Sequence, residues 1–232
     1  MADVLLHGLV LPNTAMPMDS PPHDLVVCAG ITALISAAPL GVRDLEPEAL
    51  AELALGHHAI LQAYCETVAV LPLRFGSVFS SVDTVRHHIR KSVDQITIAL
   101  HKLEDMKEYT LRLTVMGDPT PPSGPALTGR DFLARGRDLR KLRHTIADGR
   151  AALSRDLTAA LHRLAVQIEP AAAARPDRIM DLAALLPAGA VASLATIAQR
   201  FGPQAQALGL DLRITGPWPA YSFKMPEVCN GA

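Results

Sequence analysis

Four prolines crowd the stretch between Gly117 and Gly129, at Pro119, Pro121, Pro122 and Pro125. Each removes a backbone donor and holds φ at about −65°, so neither a helix interior nor a paired strand can run through them. The 232-residue chain is therefore expected to fold in two pieces: a domain over 1–117, a Pro/Gly linker over 118–129, and a second domain over 130–232. Each outer piece has an ordinary domain length.

In the first piece, residues 4–11, 24–29 and 68–73 are short apolar runs bounded by turn formers, and 109–115 alternates apolar with polar residues. All four read as strands. Pro47 suits a first helical turn, and Leu50, Leu53, Ala54, His57, Leu61 and Tyr64 recur at helical spacing behind it. Ser80 with Asp83 has the pattern of a capping box, followed by the stripe Val82, Val85, Ile89, Val93, Ile96, Leu100 and Leu103. The order ββαβαβ predicts a ferredoxin-like antiparallel sheet carrying two helices, in an α+β chain.

The second piece opens with an apparent helix over 131–168. Phe132, Leu139, Ile146 and Leu153 are spaced by seven, Leu142 lies between them, and Leu157, Leu161, Leu164 and Ile168 extend the seam. A stripe of this kind resembles a coiled coil and asks for a partner helix, within the chain or outside it. Gly136 and Gly149 weaken the helix by ~1 kcal/mol each relative to alanine. Residues 169–176 read as a joint, 179–186 as a strand or a helical turn, 190–201 as a helix and 210–215 as a half-buried strand. The second domain is thus expected to be helix-rich α+β.

Composition limits the functional classes. Lys+Arg 22 against Asp+Glu 23 leaves a net charge of −1, with no overall drive toward nucleic acid or anionic lipid. Cys28, Cys65 and Cys229 form no CxxC and are odd in number, which argues against a disulfide framework and for a reducing cytoplasm. Residues 1–11 lack the basic start of a secretory signal, and no apolar run reaches the ~18 residues of a membrane span. The pairs His57-His58 and His87-His88 point apart on a helix, as adjacent residues must, so they are poor metal ligands and no metal is expected. GxSxG, GxGxxG and Walker patterns are absent, and no catalytic residue or cofactor is assigned. Arg130, Arg135, Arg137, Arg140, Lys141, Arg143 and Arg150 face only Asp131, Asp138 and Asp148. The run reads as a solvated helix face, with a nucleic-acid-binding module on 130–150 as one alternative and a small-molecule enzyme on the ferredoxin-like scaffold as another.

Two segments stand out for rigidity. Residues 71–79 read Leu-Pro-Leu-Arg-Phe-Gly-Ser-Val-Phe: Pro72 fixes φ, Gly76 permits positive φ, and Phe75 and Phe79 are apolar anchors. Arg74 needs a carboxylate or carbonyl partner if it is buried. Residues 215–223 read Thr-Gly-Pro-Trp-Pro-Ala-Tyr-Ser-Phe and hold the sole tryptophan of a chain that is only 4% aromatic. Pro217 and Pro219 press Gly216 and Trp218 toward extended geometry and so fix the directions of Trp218, Tyr221 and Phe223. The three rings are candidates either for anchoring a partner or for clamping the two domains.

These two segments, with the opening His7-Gly8-Leu9-Val10 and with Gly129-Arg-Asp-Phe-Leu133, resemble the gas vesicle protein F/L family over nearly the whole chain. Two positions depart from its pattern: His7 stands where the family has an aromatic, and Ala220 where it has a second proline. The resemblance implies a ferredoxin-like N-terminal domain and a helix-rich α+β C-terminal domain. It also implies a non-enzymatic minor component or assembly helper of gas vesicles in the cytoplasm. Such a protein would bind the hydrophobic major shell protein, and other accessory vesicle proteins, and limit shell-protein aggregation.

Overall fold

The computed structural model describes residues 3–42, 45–117, 128–171 and 175–223; the linker expected over 118–129 lies almost wholly outside them, as does Cys229. The chain is α+β, with four α-helices and two sheets among the described residues. It divides into one compact unit of Met1–Glu108 with Pro217–Ala232 and another of Tyr109–Gly216.

The first unit is built on β1 (Val4–Val10), all seven residues of which are buried. This strand is central: β3 (Ile31–Ala37) pairs antiparallel on one side, while β4 (Val70–Pro72) and β5 (Val78–Phe79) pair antiparallel on the other. Outside β3 lies β2 (Asp24–Cys28), also antiparallel. The sequence reading lacks β3. Ala29 and Gly30, at φ +50° and +75°, make the two-residue turn with both φ positive that joins β2 to β3 in a tight hairpin.

Helix α1 (Pro47–Cys65) lies on this sheet through His57, Ile60, Leu61, Tyr64 and Cys65, whereas Leu50 at its start is exposed. The approach is close at Gly8, where a Cβ would stand 2.5 Å from Leu61 Cδ2 and 3.1 Å from the Leu71 carbonyl oxygen. Helix α2 (Val82–Leu103) buries Val85, Ile89, Ile96, Leu100 and Leu103 of the expected stripe, together with Ala99, while Val82 and Val93 are half-buried. Its capping box is one residue later than expected. Ser81 is the N-cap and exchanges hydrogen bonds with Thr84, while Asp83 pairs with Arg86 at 2.9 Å. Ser81→Ala is expected to cost about 1 kcal/mol in urea unfolding, and Ser80→Ala close to nothing; equal losses would contradict the cap assignment.

The second unit carries the sheet β7-β8-β6-β9, made of β6 (Met106–Val115), β7 (Gln167–Pro170), β8 (Arg178–Pro187) and β9 (Leu210–Trp218). Strand β6, expected as the fourth strand of the first sheet, is an inner strand here. Its alternating Tyr109, Leu111 and Leu113 enter the core formed with Leu153, Leu157, Leu161, Leu186 and Phe201. The first sheet fills the corresponding edge with β4 and β5 instead.

Helix α3 (Gly129–His162) ends six residues before Ile168, and β7 takes the last two residues expected as helix and the first two expected as the joint. The 179–186 run resolves as strand β8, and α4 (Val191–Ala207) packs on α3. Among the described residues, no helix is long and apolar enough to cross a membrane.

Candidate functional site

Both rigid segments converge on α1, at two adjacent residues. Pro72 closes β4 opposite Gly8, and Leu73 N–H donates to the His7 carbonyl at 2.9 Å. The chain then turns over Arg74–Ser77. Ser77 donates to the Arg74 carbonyl from its amide at 3.2 Å and from Oγ at 2.7 Å. Gly76, at φ +84°, supplies the positive φ that the turn requires. The Arg74 side chain is exposed, so the residue contributes its carbonyl to the turn and needs no buried partner. Phe75 packs edge-on against His57 at 5.6 Å between ring centres, and Phe79, in β5, packs against His88 at 5.3 Å.

His57 also meets His7. Their Nδ1 atoms are 3.0 Å apart, and His7 Nε2 lies 2.9 Å from Ser36 Oγ. His7 is placed by a register shift in β1 between Leu6 and Gly8. The pair borders a cleft of about 380 Å³ lined mostly by apolar side chains, with Glu52 and Ser36 among them. Burial, followed by repulsion from His57 and His23, pushes His7 from 6.5 down to about 4. Burial, followed by His58, brings His57 to about 4 as well, against a smaller opposing pull from the Leu73 backbone. Both imidazoles are therefore neutral near pH 7, and one donates to the other. Among the described residues no group of three or more His, Cys, Asp or Glu is arranged to hold a metal ion.

On the next residue of α1, His58, sits the C-terminal segment. The Trp218 ring lies 5.7 Å and the Tyr221 ring 6.0 Å from the His58 ring, and the Tyr221 hydroxyl is 3.3 Å from His58 Nδ1. One turn on, Gln62 Nε2 donates to the Pro217 carbonyl at 3.0 Å. Gly216, inside β9, takes φ +134°, and after the strand ends at Trp218 the Tyr221 amide donates back to the Pro219 carbonyl at 2.7 Å. Pro219, Ala220 and Phe223 are buried, Trp218 is half-buried and Tyr221 is exposed.

The segment is latched by a residue that carries no sequence signal. Glu108, only 4% exposed, accepts from the Ser222 amide at 3.1 Å and from Ser222 Oγ at 2.8 Å. Burial raises its pKa above the usual carboxylate range, while the two Ser222 bonds pull it back. Lys107 beside it donates to the Cys65 carbonyl. Burial pushes the Cys65 thiol up to about 11, which leaves it a small apolar filler with little thiolate. Cys28 is likewise buried.

In the second unit the basic run divides. Arg150 donates from Nε to the Leu208 carbonyl at 2.9 Å and from a terminal nitrogen to the Gly117 carbonyl at 3.0 Å, so it ties the α4–β9 turn rather than lying on a solvated face. Arg130, Arg135, Arg137, Arg140, Lys141 and Arg143 are exposed.

This architecture has counterparts. The family model described as gas vesicle synthesis protein GvpL/GvpF matches residues 12–224. Gas vesicle protein L of Streptomyces sp. (strain CB03234) is 27% identical, over 92% of this chain and 87% of its own length. The crystal structure of GvpF from Anabaena sp. PCC7120 superimposes with a TM-score of 0.68 at 17% identity, over 95% of each chain. That of GvpF from Microcystis aeruginosa gives 0.66 at 18% identity, over 96% of this chain and 99% of the other. Identities this low make the structural likeness a statement about fold, whereas the family match spans nearly all of the sequence. A chain with both belongs to the gas vesicle synthesis protein GvpL/GvpF family and has an accessory role in gas vesicles.

Proposed function

We propose that the protein binds the hydrophobic major shell protein of the gas vesicle before and during assembly, and that this binding limits its aggregation. The observation that carries the reading is the family match over residues 12–224. A subunit destined for a gas-facing shell exposes a large apolar surface until it is incorporated, and such a surface self-associates in water. A helper suited to it offers apolar side chains outward on a folded frame. Here Phe132, Leu133 and Leu139 of α3 are exposed, as is Val27 on edge strand β2. Phe132 and Leu139 fit helix-in-groove docking, and β2 fits strand addition. Pro72, Arg74, Phe75, Gly76, Phe79, Gly216, Pro217, Trp218, Pro219, Tyr221 and Phe223 then serve the function indirectly, by setting the surface of α1 on which Tyr221 remains exposed.

The test is genetic. In a host carrying a gas vesicle gene set that includes this one, deleting its gene is expected to abolish buoyancy and leave shell protein in the insoluble fraction, and supplying the chain in trans to restore both. Normal vesicles in the deletion strain would overturn the reading.

A further inference from the structure

Helix α3 is 34 residues long and α4 only 17. The end of α4 is fixed on α3 by Leu208, whose side chain comes within 2.8 Å of where a Cβ on Gly149 would be. Beyond that point α3 buries Leu153, Leu157, Ala160 and Leu161. Before it, Ile146 is the last buried residue, and 130–145 form about 24 Å of helix without a buried side chain among those described.

The apolar seam does not stop where the cover stops. At about 100° per residue, Phe132, Leu139, Leu142 and Ile146 fall within an arc of about 80°, continuous with the core face of the covered half. Phe132 is 69% exposed and Leu139 37% exposed, and Gly136 on the same stripe has open space where a Cβ would be. Arg135 falls within the stripe, Arg143 and Arg140 follow along one edge and Asp138 lies beyond the other, while Arg130, Arg137 and Lys141 carry the basic surface around the helix. Residues 130–145 carry six Lys and Arg against Asp131 and Asp138.

We infer that this half of α3 is a docking surface for an acidic amphipathic helix of another protein, seated along Phe132–Leu139–Leu142–Ile146 with its carboxylates against Arg140 and Arg143. Charge selects the occupant. A second copy would set one net basic half-helix, six Lys and Arg against two Asp, on another like it, whereas carboxylates beside the apolar seam complete it. A polyphosphate backbone would leave the seam in water, since it has nothing apolar to lay on Phe132 and Leu139. The inference deepens the shell-protein reading by naming a partner's chemistry and rests on that reading for its place in assembly. Its test uses no vesicle protein, so the two can fail separately.

The probe is a labelled four-heptad peptide with Leu at a and d and Glu at e and g, titrated with the full chain by fluorescence anisotropy. Its counterpart carries Lys at e and g. The Glu peptide is expected to bind at least about tenfold more tightly than the Lys peptide, more weakly at high salt, and about tenfold more weakly to Leu139→Ser. Arg140→Glu with Arg143→Glu should reverse the preference. These residues are exposed, so thermal melts of the variants should match the parent. Equal binding of the two peptides, no binding of either, or indifference to both variants would overturn the inference. So would a dimer of the chain in sedimentation that Leu139→Ser dissolves, or binding of anionic vesicles or duplex DNA that outcompetes the Glu peptide.

Discussion

Glu108→Ala is expected to release the 217–223 segment from α1 and to lower the unfolding free energy by about 3 kcal/mol, since hydrogen bonds to a charged group contribute about 1.5–3 kcal/mol each. Two such bonds to Ser222 are lost, offset in part by relief of the cost of burying the carboxylate. The chain has one tryptophan, and it sits in this segment. Release should therefore move the emission of the folded protein to longer wavelength as half-buried Trp218 meets water. Ser222→Ala removes only the Oγ bond and should give about half the loss. Unchanged emission and stability in Glu108→Ala would show that the latch is not what holds the segment.

The second large effect is a loss of stability in acid. His7 and His57 titrate near 4 in the folded protein and near 6.5 when unfolded, so below 6.5 the unfolded chain binds more protons. The stability available above pH 6.5 is lost as pH falls toward 4, by on the order of 3 kcal/mol for the first proton forced onto the pair. Carboxylates also titrate in this window, so the diagnostic is a comparison of slopes. His7→Phe keeps a ring at this position and removes one titrating imidazole, and urea unfolding at steps between pH 7 and 4 should give it a flatter profile than the parent. Parallel profiles would remove the histidine pair as a cause. Glu108 works in the opposite sense: with its pKa raised, its contribution is greatest at low pH and declines as pH rises through the folded value.

The elements that could be read from sequence are those whose partners left a local imprint. Helix α2 was legible because Val85, Ile89, Ile96, Leu100 and Leu103 repeat on one face against a polar remainder. The seam of α3 was legible too, and only half of it is covered within the chain because α4 is half as long. Strand β3 leaves little imprint in the sequence because Ala29-Gly30 is a weak hairpin signal beside Asn-Gly. Strand β8 was ambiguous because Leu182, Ala183, Ala184, Leu185 and Leu186 form an unbroken apolar run with no period to choose between strand and helix. The placement of β6 in the second sheet depends on pairing with residues far along the chain, and alternation alone cannot express that.

The same division holds at the candidate site. The 71–79 and 215–223 segments announce themselves through proline, glycine and aromatic spacing. Their receiving residues do not: His58 and Gln62 look like ordinary helix positions, and Glu108 meets Ser222 across 114 residues. A lone carboxylate in a strand gives no warning that it is buried. In sequence Arg150 is one more charge on a basic helix, because its carbonyl acceptors at Gly117 and Leu208 are 33 and 58 residues distant.

The most direct measurement of the central claim is affinity purification of the tagged chain from cells co-expressing the major shell protein, with the soluble and pelleted shell protein quantified in parallel. The shell protein should co-elute and move into the soluble fraction in proportion to the chain supplied. Shell protein that pellets to the same extent with and without the chain, and never appears in the eluate, would contradict the account.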